Sequence, residues 1–217
     1  MSDDSYVFDG LPLDGIRAGS TVLVAGPTHG GMRALGYRML VGPAGEGAII
    51  VTTNRRASRI VDDSRQAGLE IQEDSTGIVD CVGSEEQRVP ARLLSVGGPS
   101  DLTGIGMRFS DLYMEFKRAG VNRVRTGLYS VSTLLAYSDL RTVSRFIHTL
   151  IGRIDKVDGL GILCIDPSNH DEQAVNTLSQ FCTGTITVRE TTAGVELRAS
   201  GLPNQTREWT QFDLTAD

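Results

Sequence analysis

Thr21-Val22-Leu23-Val24-Ala25-Gly26-Pro27-Thr28-His29-Gly30-Gly31-Met32-Arg33 is the stretch on which the reading of this chain turns. Thr21 to Ala25 is short and nearly all apolar, the pattern of a parallel strand covered on both faces. The turn after it keeps the glycine spacing of a phosphate-binding loop, G-x-x-x-x-G-K-[ST]. In that motif glycines let backbone N–H groups face phosphate, a Lys neutralises it and a hydroxyl holds Mg²⁺. Gly26 and Gly31 keep the interval, with Pro27, Thr28, His29 and Gly30 between them. Met32 stands at the Lys position and Arg33 at the hydroxyl position. A helical pattern with Ala34, Leu35, Met39 and Leu40 leaves the loop and stops at Gly42-Pro43. The stretch has the shape of a nucleotide-binding loop without its charged chemistry.

Outward from the loop, apolar strands alternate with amphipathic helices. Gly47–Thr53 reads as a strand, and Asn54–Ala67 as a polar helix with Ile60 and Val61 inward and Gly68 just past its end. Thr76–Val82 and Arg92–Val96 are strands, and 97–104 has loop chemistry. Phe109, Leu112, Phe116 and Ala119 recur at helical spacing before Gly120, and Arg123–Leu128 is the next strand. Leu140, Val143, Ile147, Leu150, Ile151 and Ile154 form a helical stripe opened by Ser138 or Asp139. Leu160–Ile165 is a strand, followed by a helix capped by Ser168 or Asn169 and running to about Phe181. Thr185–Val188, Val195–Arg198 and Trp209–Phe212 look like strands, with Ala193-Gly194 as a hairpin turn. The expectation is a single α/β domain over 1–217: a mostly parallel sheet flanked by helices, a small antiparallel C-terminal edge, and a loose segment at 1–10.

The composition is that of an ordinary globular protein, with 40% hydrophobic and 22% charged residues. A net charge of -6 argues against non-specific binding to nucleic acid or an anionic membrane. Of 21 basic residues only Lys117 and Lys156 are Lys, leaving 21 − 2 = 19 Arg, which fits either a GC-rich genome or a salt-adapted cytoplasm. Cys81, Cys164 and Cys182 are an odd set without C-x-x-C, and the 3 His are too scattered for a metal cluster. No signal stretch or apolar run long enough to span a bilayer is present, so a cytoplasmic location and no membrane insertion are expected.

The run from Gly10-Leu11-Pro12-Leu13-Asp14-Gly15-Ile16-Arg17-Ala18-Gly19-Ser20 into Thr21–Pro27 closely resembles the segment that leads into the loop of RecA/KaiC-like ATPases. The stretches 101–106, 129–135 and 165–171 look like those of a haloarchaeal branch of that superfamily, and the likeness covers most of the chain. It implies a RecA-like fold and assigns roles to particular positions. Beyond the Lys and hydroxyl positions of Met32 and Arg33, a general base is due at the end of the second strand, where Thr53 and Asn54 stand. A Walker B acid is due at Tyr129, before Ser130-Val131-Ser132. Phosphoryl transfer rests on positioning and charge stabilisation, so losing all of these together removes it. Asp166, which ends an apolar strand, is either a sensor-strand residue, a Walker B acid able to hold a metal, or the capping side chain of a strand-to-helix turn. The resemblance thus implies a catalytically inactive, regulatory or scaffolding protein with no cofactor, no resident metal, and protein partners: its own copies or an active relative. The alternative is a nucleotide-binding protein or weak ATPase that takes ATP or ADP, with or without Mg²⁺, on a non-standard loop.

Other residues have bland readings beside the sharp ones. His29 is either a phosphate contact or an exposed loop residue, and Arg33 either binds an anion or pairs with a carboxylate of its own chain. Arg55, Arg56, Arg59 and Arg65 read as a solvated face balanced by Asp62, Asp63 and Glu70. Tyr113, Tyr137 and Trp209 read as packing. His170-Asp171-Glu172 reads as a charged helix start and not a metal cluster.

Overall fold

A computed structural model of the chain describes residues 4–83 and 88–214. In chain order the elements are β1 (Ser5–Tyr6), β2 (Ile16–Arg17), β3 (Thr21–Ala25), α1 (Met32–Leu40), β4 (Glu46–Thr52), α2 (Ala57–Gln66), β5 (Thr76–Asp80), β6 (Arg92–Ser95), α3 (Leu102–Arg118), β7 (Arg123–Tyr129), α4 (Val131–Tyr137), α5 (Leu140–Asp155), β8 (Leu160–Ile165), a 3₁₀ turn (Pro167–Asn169), α6 (Glu172–Ser179), β9 (Gly184–Thr191), β10 (Gly194–Ser200) and β11 (Thr210–Gln211). One sheet runs β11-β10-β9-β3-β8-β7-β4-β5-β6. From β9 to β6 it is parallel, and β10 and β11 close it as an antiparallel edge.

The period of two along each strand makes two cores. Val22 and Val24 of β3 face one, with residues of α1 and α2; Leu23 and Ala25 face the other, with residues of α3 and α5. Each central strand is therefore apolar throughout, as β3 and β8 show with every residue buried. The chain leaves β3, passes over the places of β8 and β7 to lay down β4, and later returns to fill them. The C-terminal ends of β3, β8, β7 and β4 thereby meet along one edge, where the strand order reverses.

Four expectations are corrected. The segment 1–10 is not loose where it is described, from residue 4; residues 1–3 lie outside the described residues. Ser5–Tyr6 pairs antiparallel with Ile16–Arg17, and Tyr6 and Phe8 are buried. Tyr6 lies under the Arg123 guanidinium, 4.1 Å from ring centre to carbon, and donates its hydroxyl to the Asp158 carbonyl at 3.0 Å. Residues 97–104 are not all loop: Asp101 accepts from the Gly104 amide at 2.8 Å and starts α3 at Leu102. The helix expected from Ser168 or Asn169 is instead a 3₁₀ turn, with Asp171 capping α6 through the Ala174 amide at 2.7 Å. Tyr137 does not pack; it is 63% exposed.

At the end of the sheet away from the loop, Arg125 is fully buried. It donates to Glu46 at 2.6 Å and to the carbonyls of Met39 and Val7 at 3.0 Å each, while Arg123 reaches the other Glu46 oxygen at 2.9 Å. Arg38 of α1 donates to the carbonyls of both Gly10 and Asp213, so one side chain joins the two ends of the described chain.

Candidate functional site

Gly26 begins the loop by donating its amide to the Ile165 carbonyl of β8 at 3.1 Å, and Gly30 closes a turn on Pro27 at 2.9 Å. Gly31 caps α1 with φ 88° and no side-chain cap. Glycine is required there on two counts: the left-handed conformation, and a Cβ that would stand 2.7 Å from Val195 and 2.9 Å from Leu214. His29 is exposed and Thr28 half-buried. Met32 is 1% exposed and belongs to the core beneath α1 with Val22, Val24 and Val195, so its side chain serves packing.

Asp166 grips the loop. Its Oδ2 accepts from the Thr28 amide at 2.8 Å and the Thr28 hydroxyl at 2.7 Å, and its Oδ1 from the Ser168 amide at 3.1 Å and hydroxyl at 2.5 Å. The Asp166 amide in turn donates to the Ser132 hydroxyl at 2.9 Å. Burial works to raise the Asp166 pKa, but the hydrogen bonds from Ser168 and Thr28 outweigh it and hold the carboxyl below its ordinary range. Asp166 directly follows β8, which comes after β7 in the chain and lies between β7 and β3 in the sheet.

Tyr129, Tyr37 and Cys164 form one buried cluster under the first turns of α1, and Arg33, almost a hundred residues before Tyr129 in sequence, lies close enough to act electrostatically on all three. Arg33 is 8% exposed. The Tyr129 and Tyr37 rings stack with centroids 4.5 Å apart. Gly36 makes room for them: a Cβ there would lie 2.8 Å from the Tyr129 ring and 3.0 Å from the Cys164 sulfur. Burial drives the Tyr129 phenol well above its ordinary pKa, with nearby Cys164 and Tyr37 adding to the rise and Arg33 opposing it. Burial likewise pushes the Cys164 thiol up to about 12 against the pull of Arg33. Among the described residues the Tyr129 and Tyr37 hydroxyls and Arg33 Nη1 have no hydrogen-bond partner. At the end of β4 the Thr53 hydroxyl accepts from the Ser130 amide at 2.7 Å and donates to the Tyr129 and Ser130 carbonyls at 3.0 Å, tying β4 to β7. Asn54 is exposed beside it.

Sequence reasoning named Arg33 and Tyr129 without bringing them together, gave Asp166 only a local turn-capping partner, named Cys164 only as one of three scattered cysteines, and passed over Tyr37. The available signal was Gly36, a glycine inside a helical pattern, which marks a close approach. Arg55 and Arg59 both pair with Asp63, at 2.5 and 3.1 Å, so that face of α2 is internally balanced. Among the described residues no group of three or more His, Cys, Asp or Glu could hold a metal ion, and no helix is long and apolar enough to cross a membrane.

The fold is shared with the KaiC-like protein PH0186 of the hyperthermophilic archaeon Pyrococcus horikoshii OT3. The two structures match at a TM-score of 0.67 with 18% sequence identity, over 95% of this chain and 93% of that one. No curated protein matches the sequence. At that identity the structural likeness establishes a RecA/KaiC-like fold and nothing finer. A sequence family does match across residues 19–188, from two residues before β3 to the middle of β9, and the chain belongs to it: a family of unknown function, DUF7504.

Proposed function

We propose that this protein is a RecA/KaiC-like domain that does not turn over nucleotide and acts as a regulatory or scaffolding subunit through protein association. The observation that carries the proposal is the Arg33–Tyr129 cluster. In the superfamily the resemblance points to, those two positions hold Mg²⁺ with a hydroxyl and a carboxylate. Here they offer a buried guanidinium and a neutral phenol. A hard dication takes oxygen ligands, and a cation already in place repels it. The residues present therefore do not fit a Mg²⁺–nucleotide complex. Asp166, the carboxylate nearest to the loop by contact, already accepts four hydrogen bonds. Thr53 and Asn54 supply no base near neutral pH.

Association is the part carried by fold-level analogy, since RecA-like domains usually assemble through neighbouring faces. Met107 and Met114, one heptad apart on α3, are 60% and 48% exposed, and adaptable thioether side chains suit a partner surface. The test has two parts. Incubation with millimolar ATP and Mg²⁺ and a malachite-green assay should release no phosphate above buffer; turnover that disappears in Asp166→Asn would overturn the non-catalytic reading. Light scattering across a concentration series should show self-association, which a monomer at every concentration would refute for the homo-oligomeric form.

A further inference from the structure

Arg33 is more than nine-tenths buried, yet among the described residues its Nη1 has no hydrogen-bond partner. Among the described residues no carboxylate pairs with it. The carboxylate that lines the same cleft, Asp63, is occupied by Arg55 at 2.5 Å and Arg59 at 3.1 Å. A buried guanidinium without a counter-charge is costly to the folded protein and calls for an anion from elsewhere.

The cleft offers one a place. It holds about 260 Å³ between the first turns of α1 and the far half of α2, and Thr28, His29, Arg33, Tyr37, Arg55 and Leu214 line it. Tyr37, 1% exposed, brings a second buried group with an unpartnered hydroxyl, Oη. The start of α1, nine residues long and without a side-chain cap, adds the positive end of its dipole. The volume falls below the roughly 300–1,000 Å³ of pockets that enclose a drug-sized ligand. It accommodates one phosphate-sized group, and the rest of any larger ligand would lie outside it.

We infer that this cleft binds a tetrahedral oxyanion without a metal ion, either inorganic phosphate or the phosphate end of a monoester, with Arg33 and Tyr37 as its binding residues. Asp63 opposes the anion, and its two arginine partners neutralise it. The site goes beyond the proposed function: it lies on the α2 side of α1, needs no Mg²⁺, and stands whether or not the chain associates.

The test uses the whole chain in EDTA at constant ionic strength set with potassium chloride. Inorganic phosphate, a phosphate monoester such as AMP, and chloride alone are each titrated while the melting temperature is followed, with calorimetric titration beside it. Phosphate, AMP or both should raise the melting temperature saturably over the chloride control, and which of them does so identifies the source of the group. Arg33→Met should weaken binding by roughly tenfold or more, since it removes a charge-assisted contact. It should also raise the melting temperature in the absence of phosphate, because it removes a buried charge that has no partner. Tyr37→Phe should fold normally and bind phosphate more weakly than the parent. The inference is overturned by any of four results: no saturable rise with either probe, the same rise in Arg33→Met, a requirement for Mg²⁺, or an Arg33→Met chain that cannot fold, which would mean that Arg33 has a structural partner.

Discussion

Replacing Asp166 with Ala would unhook the loop from the sheet. The carboxylate accepts from the Thr28 amide and hydroxyl and from the Ser168 amide and hydroxyl, all at 3.1 Å or less. A hydrogen bond to a charged group contributes about 1.5–3 kcal/mol. Four on one carboxylate do not add, and the hydroxyls recover water when the loop loosens. The expected loss is therefore about 2–4 kcal/mol, and at about 2–4 °C per kcal/mol for a chain of this size the melting temperature falls by roughly 4–16 °C. Asn keeps one acceptor oxygen and should lose about half as much. The pH dependence has a definite sign. Although burial works to raise it, the folded pKa lies below the unfolded one because the hydrogen bonds from Ser168 and Thr28 outweigh that. The contribution is thus fully present above the unfolded value of about 3.9 and is lost as pH falls through the folded value. Urea denaturation of parent and variant over a pH series should show a constant gap down to about pH 5 that closes on further acidification. A gap under about 0.5 kcal/mol near neutrality, or one that persists in acid, would refute the clamp.

Two further substitutions test the packing that shapes the site. Gly36→Ala should destabilise by about 1–3 kcal/mol although Ala is the better helix former, because its Cβ meets the Tyr129 ring and the Cys164 sulfur at 2.8 and 3.0 Å; a gain in urea stability would show that the cluster yields. Glu46→Ala should cost about 3–5 kcal/mol by leaving Arg125 buried without its counter-charge, whereas a loss below about 1 kcal/mol would show that the Met39 and Val7 carbonyls suffice for it.

The parallel sheet was legible because its strands are apolar on both faces and its helices carry clear stripes, so β3, β8 and α5 fall where periodicity puts them. What stayed hidden depends on contacts distant in sequence. Asp166 could be read locally as a turn-capping residue, and it does hold Ser168; nothing local reveals that its other oxygen holds Thr28, 138 residues away. Polar composition made 1–10 look loose, but Tyr6 is fixed by Arg123 and Arg125, which are far along the chain. Arg125 sits within a strand where a charge argues against burial, and what makes it tolerable is Glu46 on the neighbouring strand with the Met39 and Val7 carbonyls. Arg33 and Tyr129 were each identified by their places in motifs, but their meeting needs the fold.

The place of β3 at the centre of the sheet has a consequence for biosynthesis. Its ladders are to β8, Leu160–Ile165, and to β9, Gly184–Thr191, so both of its edges wait for strands made much later. At about 5–20 residues per second, a ribosome takes roughly 7–30 s to proceed from the loop to the end of β8. Through that interval the nascent chain carries an apolar strand with two open edges, a template for pairing with a neighbouring chain. Folding then waits on long-range closures that set β8 and β9 on either side of β3, slow for reasons of chain entropy. Truncations that end before residue 165 should accumulate as aggregates and not as smaller folded units.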